Sequence, residues 1–240
     1  MEDANQSDLA LLDAWRGGDR RAGSALFLRH YTLVNRFFRS KANAADVADL
    51  IQSTFVACIE AKDRYEGTGA FKSYLLGIAF RRLCRHYRSA QRFAARVDFA
   101  SVSACDLAPS PSQLVAARQE QRLILAALRR IPLAHQVLLE LIFWEDFTAA
   151  DAAAVLEIPL GTAKSRIRRA QQLLREQLAH DLLERGILDG EVGDGGLIDF
   201  AFSPTYGQDG LIFALITTGS DNRVVRVAAG DVPKPILTGI

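Results

Sequence analysis

Two stretches of the chain gather cations without acids, and both suit the binding of an anionic polymer rather than covalent chemistry. Between Gly161 and Arg175 stand Lys164, Arg166, Arg168, Arg169 and Arg175, with no Asp or Glu among them. From Gly67 to Val97 there is again no acid, while Lys72, Arg81, Arg82, Arg85, Arg88, Arg92 and Arg96 are positive. Cations track phosphate, and aromatic faces stack on unpaired bases for ~1–3 kcal/mol each. Phe80 and Tyr87 lie seven residues apart among these arginines, so a helix sets them on a common face between the cations. Phe71, Tyr74, Leu75 and Ile78 read instead as core.

Other chemistries find no support. There is no P-loop, no nucleophile elbow and no acid pair of distinctive spacing, so an enzyme is not expected. The cysteines, Cys58, Cys84 and Cys105, are odd in number and widely spaced, which argues against a secreted disulfide scaffold. No CxxC or HxxxH occurs, and the nearest approach to a metal pair, Cys84-x-His86, has arginine neighbours; neither a metal site nor a cofactor is expected. The first residues are acidic and carry no apolar signal core. Apolar runs such as Leu211–Ile216 fall far short of the ~20 residues a membrane helix needs. The expectation is a soluble, cytoplasmic protein with no membrane insertion. Its formal charge of +1 conceals segregation: residues 1–185 carry 26 bases and 21 acids, and residues 186–240 carry three and seven.

The elements that must position these cations are helices, and the fold class expected is mainly α. Phe27, Tyr31, Val34 and Phe38 recur at helical spacing, as do Val47, Ile51, Phe55 and Cys58, then Phe71, Leu75 and Ile78. Gly17-Gly18 and Gly67-Thr-Gly69 punctuate them. Residues 97–113 hold Ser, Pro109 and Pro111 without a helical stripe and read as a linker. Helices resume at about Ser112. Leu123, Ala127, Leu128 and Ile131 form one stripe, and His135 to Trp144 another. The expected domains are therefore 1–96, a linker at 97–113, 114–185, and a tail at 186–240. The tail is Gly-rich at its start and holds three β-like runs, Leu197–Phe202, Leu211–Thr218 and Arg223–Val227.

The segment Thr148–Leu178 predicts two helices joined by a very short connection, the arrangement of a DNA-reading helix-turn-helix. Thr148 and Asp151 suit an N-terminal cap, and Ala152, Ala153 and Ala154 permit close helix crossing. At about 100° per residue, Ala163, Ile167, Ala170, Leu174 and Leu178 share one narrow face. Ser165, Arg168 and Gln172 lie opposite, flanked by Lys164, Arg169 and Arg175. Such a helix can present Arg to guanine edges and Lys to phosphate. A solvated basic face would account for the charge, but not for the tight turn, the small-residue first helix and the missing acids together.

Phe147–Ala170, and Pro159-Leu-Gly-Thr-Ala-Lys-Ser-Arg above all, resembles the promoter-reading domain of extracytoplasmic-function (ECF) sigma factors of the sigma-70 family. One departure is Glu157, where the family commonly has Gly; a left-handed residue there would cost about 1–2 kcal/mol. Upstream, Asp46-Val-Ala-Asp-Leu-Ile-Gln-Ser-Thr-Phe-Val resembles the family's polymerase-docking helix, with Ser53 replacing a common Glu. Phe71–Arg88 resembles the segment that engages the melted promoter element, and the base-capturing loop maps near Glu66–Ala70. The resemblance spans about residues 7–95 and 112–180.

It implies a sigma factor that directs core RNA polymerase to promoter DNA and aids strand opening. It further implies upstream-element contacts from Thr162, Lys164, Ser165, Arg168, Arg169 and Gln172. Contacts to the melted element would come from Lys72, Phe80, Arg81, Arg82, Arg85, Tyr87 and Arg88. Polymerase contacts would come from Asp46, Asp49, Leu50, Gln52 and Ser53. An anti-sigma factor is a further partner the resemblance allows, and phosphodiester chemistry would belong to the polymerase. The tail resembles a single WD-repeat blade without the usual Trp-Asp ending, and one blade cannot close a propeller. Two rival readings stay open: a stand-alone helix-turn-helix regulator, and an interaction protein working through the tail.

Overall fold

The computed structural model describes residues 7–65, 70–90, 98–107, 119–184, 196–202, 212–217, 222–227 and 234–238. The expected base-capturing loop at 66–69 and the restart of helix near Ser112 lie outside these residues. The described part is mainly helical. By packing it divides into two compact units, the first of which takes in Met1–Asp98 and Thr148–Ala163, and the second Gln113–Phe147 and the chain from Lys164 onward.

In the first unit α1 spans Asp8–Arg16, α2 Arg20–Arg39, α3 Ala44–Ala61 and α4 Phe71–Ala90. Ser7 caps α1 by accepting from the Ala10 N–H, and Asp19 caps α2 by accepting from Arg21 and Ala22. Gly18 makes the turn between them at φ +104°, a conformation costly for any side chain. Trp15 lies against Gly23, where a Cβ would meet its ring at 2.6 Å. The core face of α2 is Leu26, His30, Val34, Phe37 and Phe38, a slightly different stripe from the expected one, and Tyr31 is exposed. The shift arises because His30 is buried: its Nε2 lies 2.8 Å from the Asp8 carboxylate, which satisfies the polar ring. Arg16 closes the far side by donating to the Lys62 and Tyr65 carbonyls.

In the second unit, α5 (Ala104–Leu107) is a single helical turn inside the stretch expected to be a linker. The neighbourhood is anchored rather than loose. Leu133 and Ala134 donate backbone bonds to Val102 and Phe99, and Arg129 donates to the Ala104 carbonyl. The sequence hid this because the described part is held by backbone pairing and Phe99, which has no periodic partners. The Pro109–Pro111 portion lies outside the described residues. α6 (Gln119–Arg130) and α7 (Leu133–Trp144) follow, with Val137, Leu138, Leu139 and Leu141 buried.

α8 (Ala149–Leu156) begins with a full capping box: the Asp151 N–H donates to the Thr148 hydroxyl, and the Thr148 N–H donates to the Asp151 carboxylate. It ends at Glu157, which holds φ 54° and ψ 46°, the left-handed conformation that costs a non-glycine residue about 1–2 kcal/mol. Ile158 and Pro159 lead to α9 (Leu160–Glu184).

The tail forms a four-stranded antiparallel sheet in the order β1-β2-β3-β4: Gly196–Phe202, Ile212–Thr217, Asn222–Val227 and Lys234–Thr238. The first three answer the expected runs. The fourth was illegible because Pro235 argues against a strand, yet among the described residues β4 pairs with β3 alone, and an edge strand tolerates proline.

Candidate nucleic-acid interface

α9 carries the first cationic surface. Ala163, Ala170, Leu174 and Leu178 are buried and Ile167 is half-buried, which is the expected stripe. Lys164, Ser165, Arg168, Arg169 and Gln172 are consequently exposed, and Thr162 is half-buried in the first turn. The acid-free window ends one residue before an acid that matters. Glu176 Oε1 accepts from Gln172 Nε2 at 3.0 Å and lies 3.8 Å from an Arg169 nitrogen. Both charged partners are about half exposed, so this pair contributes under about 1 kcal/mol and yields readily to a phosphate.

Beneath the same helix sits His135, near the start of α7. It is buried, and Nδ1 has no hydrogen-bond partner among the described residues. Burial, then the fields of Arg166 and Arg169, hold its imidazole below the ordinary value of 6.5 and therefore neutral. Sequence reading counted Arg166 among the cations but gave neither it nor His135 a role. Arg166 falls between the two faces of α9, and a single His on α7 carries no pattern.

α4 carries the second surface. Phe71, Leu75, Leu76, Ile78, Ala79 and Leu83 are buried, while Arg81, Arg85 and Arg88 recur at helical spacing and are exposed. Phe80, Arg81, Arg82, Arg85 and Arg88 line one groove of about 500 Å³. Five of the residues assigned to melted DNA are thus brought together. Lys72 lies two turns earlier on α4 and is half-buried.

Tyr87 is not among them. It is 2% exposed and its hydroxyl donates to the Lys41 carbonyl, so in this structure it is a core residue and offers no face to a base. Periodicity correctly put Phe80 and Tyr87 on one side of α4. It could not say that the Ser40–Ala42 turn covers that side at the Tyr87 end.

α3 carries the residues assigned to polymerase. Asp49 and Gln52 are exposed, and Asp46 and Ser53 are half-buried. Leu50 is 5% exposed and supports the helix from within. The Ser53 hydroxyl donates back to the Leu50 carbonyl. Asp46 lies 3.6 Å from His86 Nε2, and Asp46, Asp49 and Ser53 share a groove of about 270 Å³ with Arg82, Arg85 and His86. Val56 and Ile59 continue the exposed line from Asp49 and Gln52 at helical spacing, an apolar extension the sequence reading missed. Among the described residues, no three His, Cys, Asp or Glu gather as metal ligands, and no helix is long and apolar enough to cross a membrane.

Residues 26–93 match the Sigma-70 region 2 family and residues 121–174 the Sigma-70 region 4 family. The RNA polymerase sigma factor CarQ of Myxococcus xanthus is 31% identical over 177 residues, covering 72% of this chain and 98% of CarQ. The chain belongs to the ECF sigma factors of the sigma-70 family. The ECF RNA polymerase sigma-E factor of Escherichia coli K12 is 24% identical, over 70% of this sigma factor and 92% of its own length. CnrH, solved in complex with the cytosolic domain of CnrY, superposes with a TM-score of 0.53 at 24% identity, covering 75% of this chain and 99% of CnrH, a likeness of fold. This sigma factor therefore directs RNA polymerase to promoters. The two rival readings drop out, since neither accounts for a region 2 match ahead of the helix-turn-helix.

Proposed function

We propose a division of labour within the sigma factor, with residues 1–96 and 114–185 as its working modules. The exposed face of α9, from Thr162 through Lys164, Ser165, Arg168, Arg169 and Gln172, reads the duplex upstream element. The α4 groove of Phe80, Arg81, Arg82, Arg85 and Arg88, extended by Lys72, holds the melted element. Asp46, Asp49, Gln52 and Ser53, with Val56 and Ile59 beside them, dock on core polymerase, and Leu50 holds that helix in place. The observation that carries this reading is the exposure of two acid-free cationic helical stretches, Phe71–Ala90 and Gly161–Arg175, the first lining a groove that includes an aromatic ring. The protein performs no bond-making of its own and works in the cytoplasm, where polymerase and promoters are. CnrH was solved with the cytosolic domain of CnrY, and a protein partner of this sigma factor, an anti-sigma factor on the family resemblance, belongs to the same proposal.

Reconstitution with core polymerase on random promoter DNA tests the whole. Open complexes that depend on this chain, and an Arg168→Ala variant with weakened duplex binding and altered promoter preference, are expected. Arg168→Ala with unchanged affinity and preference removes that residue from the interface. The tail's excess of acids supports a regulatory contact with the cationic helices, and equal transcription with and without residues 186–240 refutes it.

A further inference from the structure

α8 belongs to the same compact unit as α4 and packs directly against it. Gly77 faces α8 at this packing: a Cβ there would make ordinary contacts, 3.8 Å from the Val155 carbonyl oxygen and 4.0 Å from the Val155 Cα. Val155 and Leu156 are buried, and with Glu157 they form the α8 side of the groove whose α4 side is Phe80, Arg81, Arg82 and Arg85. From this seat the Glu157 carboxylate accepts a hydrogen bond from the Arg81 guanidinium. A carboxylate on a guanidinium satisfies the donors that a phosphate would otherwise take. Glu157 does this from a left-handed backbone, where glycine would sit without strain. An observed strained residue beside a functional groove is a reason to ask what its side chain does there.

We propose that Glu157 is a built-in competitor for the strand-holding groove: with α8 docked on α4, its carboxylate occupies Arg81 and lowers the affinity of the free sigma factor for single-stranded DNA. The inference rests on the reading of α4 as the strand-holding surface. Arg81 and Glu157 are 51% and 63% exposed, so the pair is weak and screened by salt. It biases the groove against loose single strands without fixing it shut. A promoter strand that engages several cations at once displaces it.

The test measures binding of a short labelled single-stranded DNA by fluorescence anisotropy, using the full chain. Glu157→Asn keeps a residue that tolerates the left-handed backbone and removes the charge. It is expected to bind about two- to fivefold tighter at low salt, the range of one exposed ion pair, with the gain vanishing at high salt. Glu157→Gly, which also relieves the backbone, should show the same gain. Asp13→Asn makes the same charge change on an exposed acid of α1 and should leave binding unchanged. Arg85→Ala should weaken it. Wild-type affinity in both Glu157 variants, or an equal gain in Asp13→Asn, overturns the competitor while the Arg85→Ala loss keeps the groove. An Arg85→Ala variant that binds normally overturns the groove, and the competitor with it.

Discussion

α4 and α9 are both cationic, acid-poor helices with a buried apolar stripe, yet they present their charge differently. On α9 the cations stand on an open outward face, and that helix's nearest acid, Glu176, is half exposed and weakly paired. On α4 they line a groove with Phe80, with one arginine already held by a carboxylate. An open face fits a duplex groove, whose bases are read at their edges. A recess with an aromatic wall fits a single strand, whose bases can turn inward and stack. Composition alone is nearly the same for both. Which neighbours flank the helix decides the kind of nucleic acid it suits.

The sharpest way to probe the recess is through its two aromatics. Tyr87→Ala empties a buried aromatic site and should cost about 3–5 kcal/mol of stability, while Tyr87→Phe keeps the ring and loses the hydroxyl's bond to the Lys41 carbonyl, about 1 kcal/mol. Phe80→Ala should leave stability nearly intact and reduce single-strand binding. Urea unfolding followed by Trp15 fluorescence in a Trp144→Phe background reports on the first unit alone. A Phe80→Ala loss of stability as large as that of Tyr87→Ala would mean that α4 has no aromatic wall to offer.

A smaller effect separates the two helices directly. Arg82→Ala with Arg85→Ala should weaken single-strand binding at least about tenfold and change duplex binding little. Lys164→Ala with Arg168→Ala should do the reverse. If the lost groups contact phosphate, each removal also lowers the slope of log affinity against log salt by about one. Equal losses for both forms of DNA in both variants would dissolve the distinction and leave two generic cationic surfaces.

What the sequence disclosed about these helices follows from which structures are periodic. The α9 face was readable residue by residue, because a long amphipathic helix repeats its apolar positions many times. The left-handed Glu157 was raised only through the family resemblance, where glycine commonly stands at that position, and not by any pattern in the residues themselves. Tyr87 was misplaced because a helical pattern shows which residues share a side and not what covers that side further along. Glu176 fell one residue past an acid-free window, though on a helix a residue one or two turns away is a neighbour. β4 and the α5 turn carry too few residues, or the wrong ones, to leave a pattern at all.

The smallest effect concerns His135, which lies within the field of the α9 arginines. His135 is held neutral by burial first, and then by Arg166 and Arg169. In the unfolded chain it titrates at the ordinary value of 6.5. Below that pH the unfolded state takes up a proton that the folded state resists. Stability of the second unit is therefore whole above pH 6.5 and declines as pH falls through the lower folded value. His135→Gln should remove that part of the decline, measured by Trp144 fluorescence in a Trp15→Phe background. Duplex DNA bound to α9 places phosphates beside the two arginines, offsets their field, and makes the folded state easier to protonate. The decline should then be shallower in the complex than in the free protein for the native histidine, and the same in both for the glutamine variant. Identical profiles for native and variant chains would show that His135 does not register the charge above it, and that α9's face is electrostatically separate from its support.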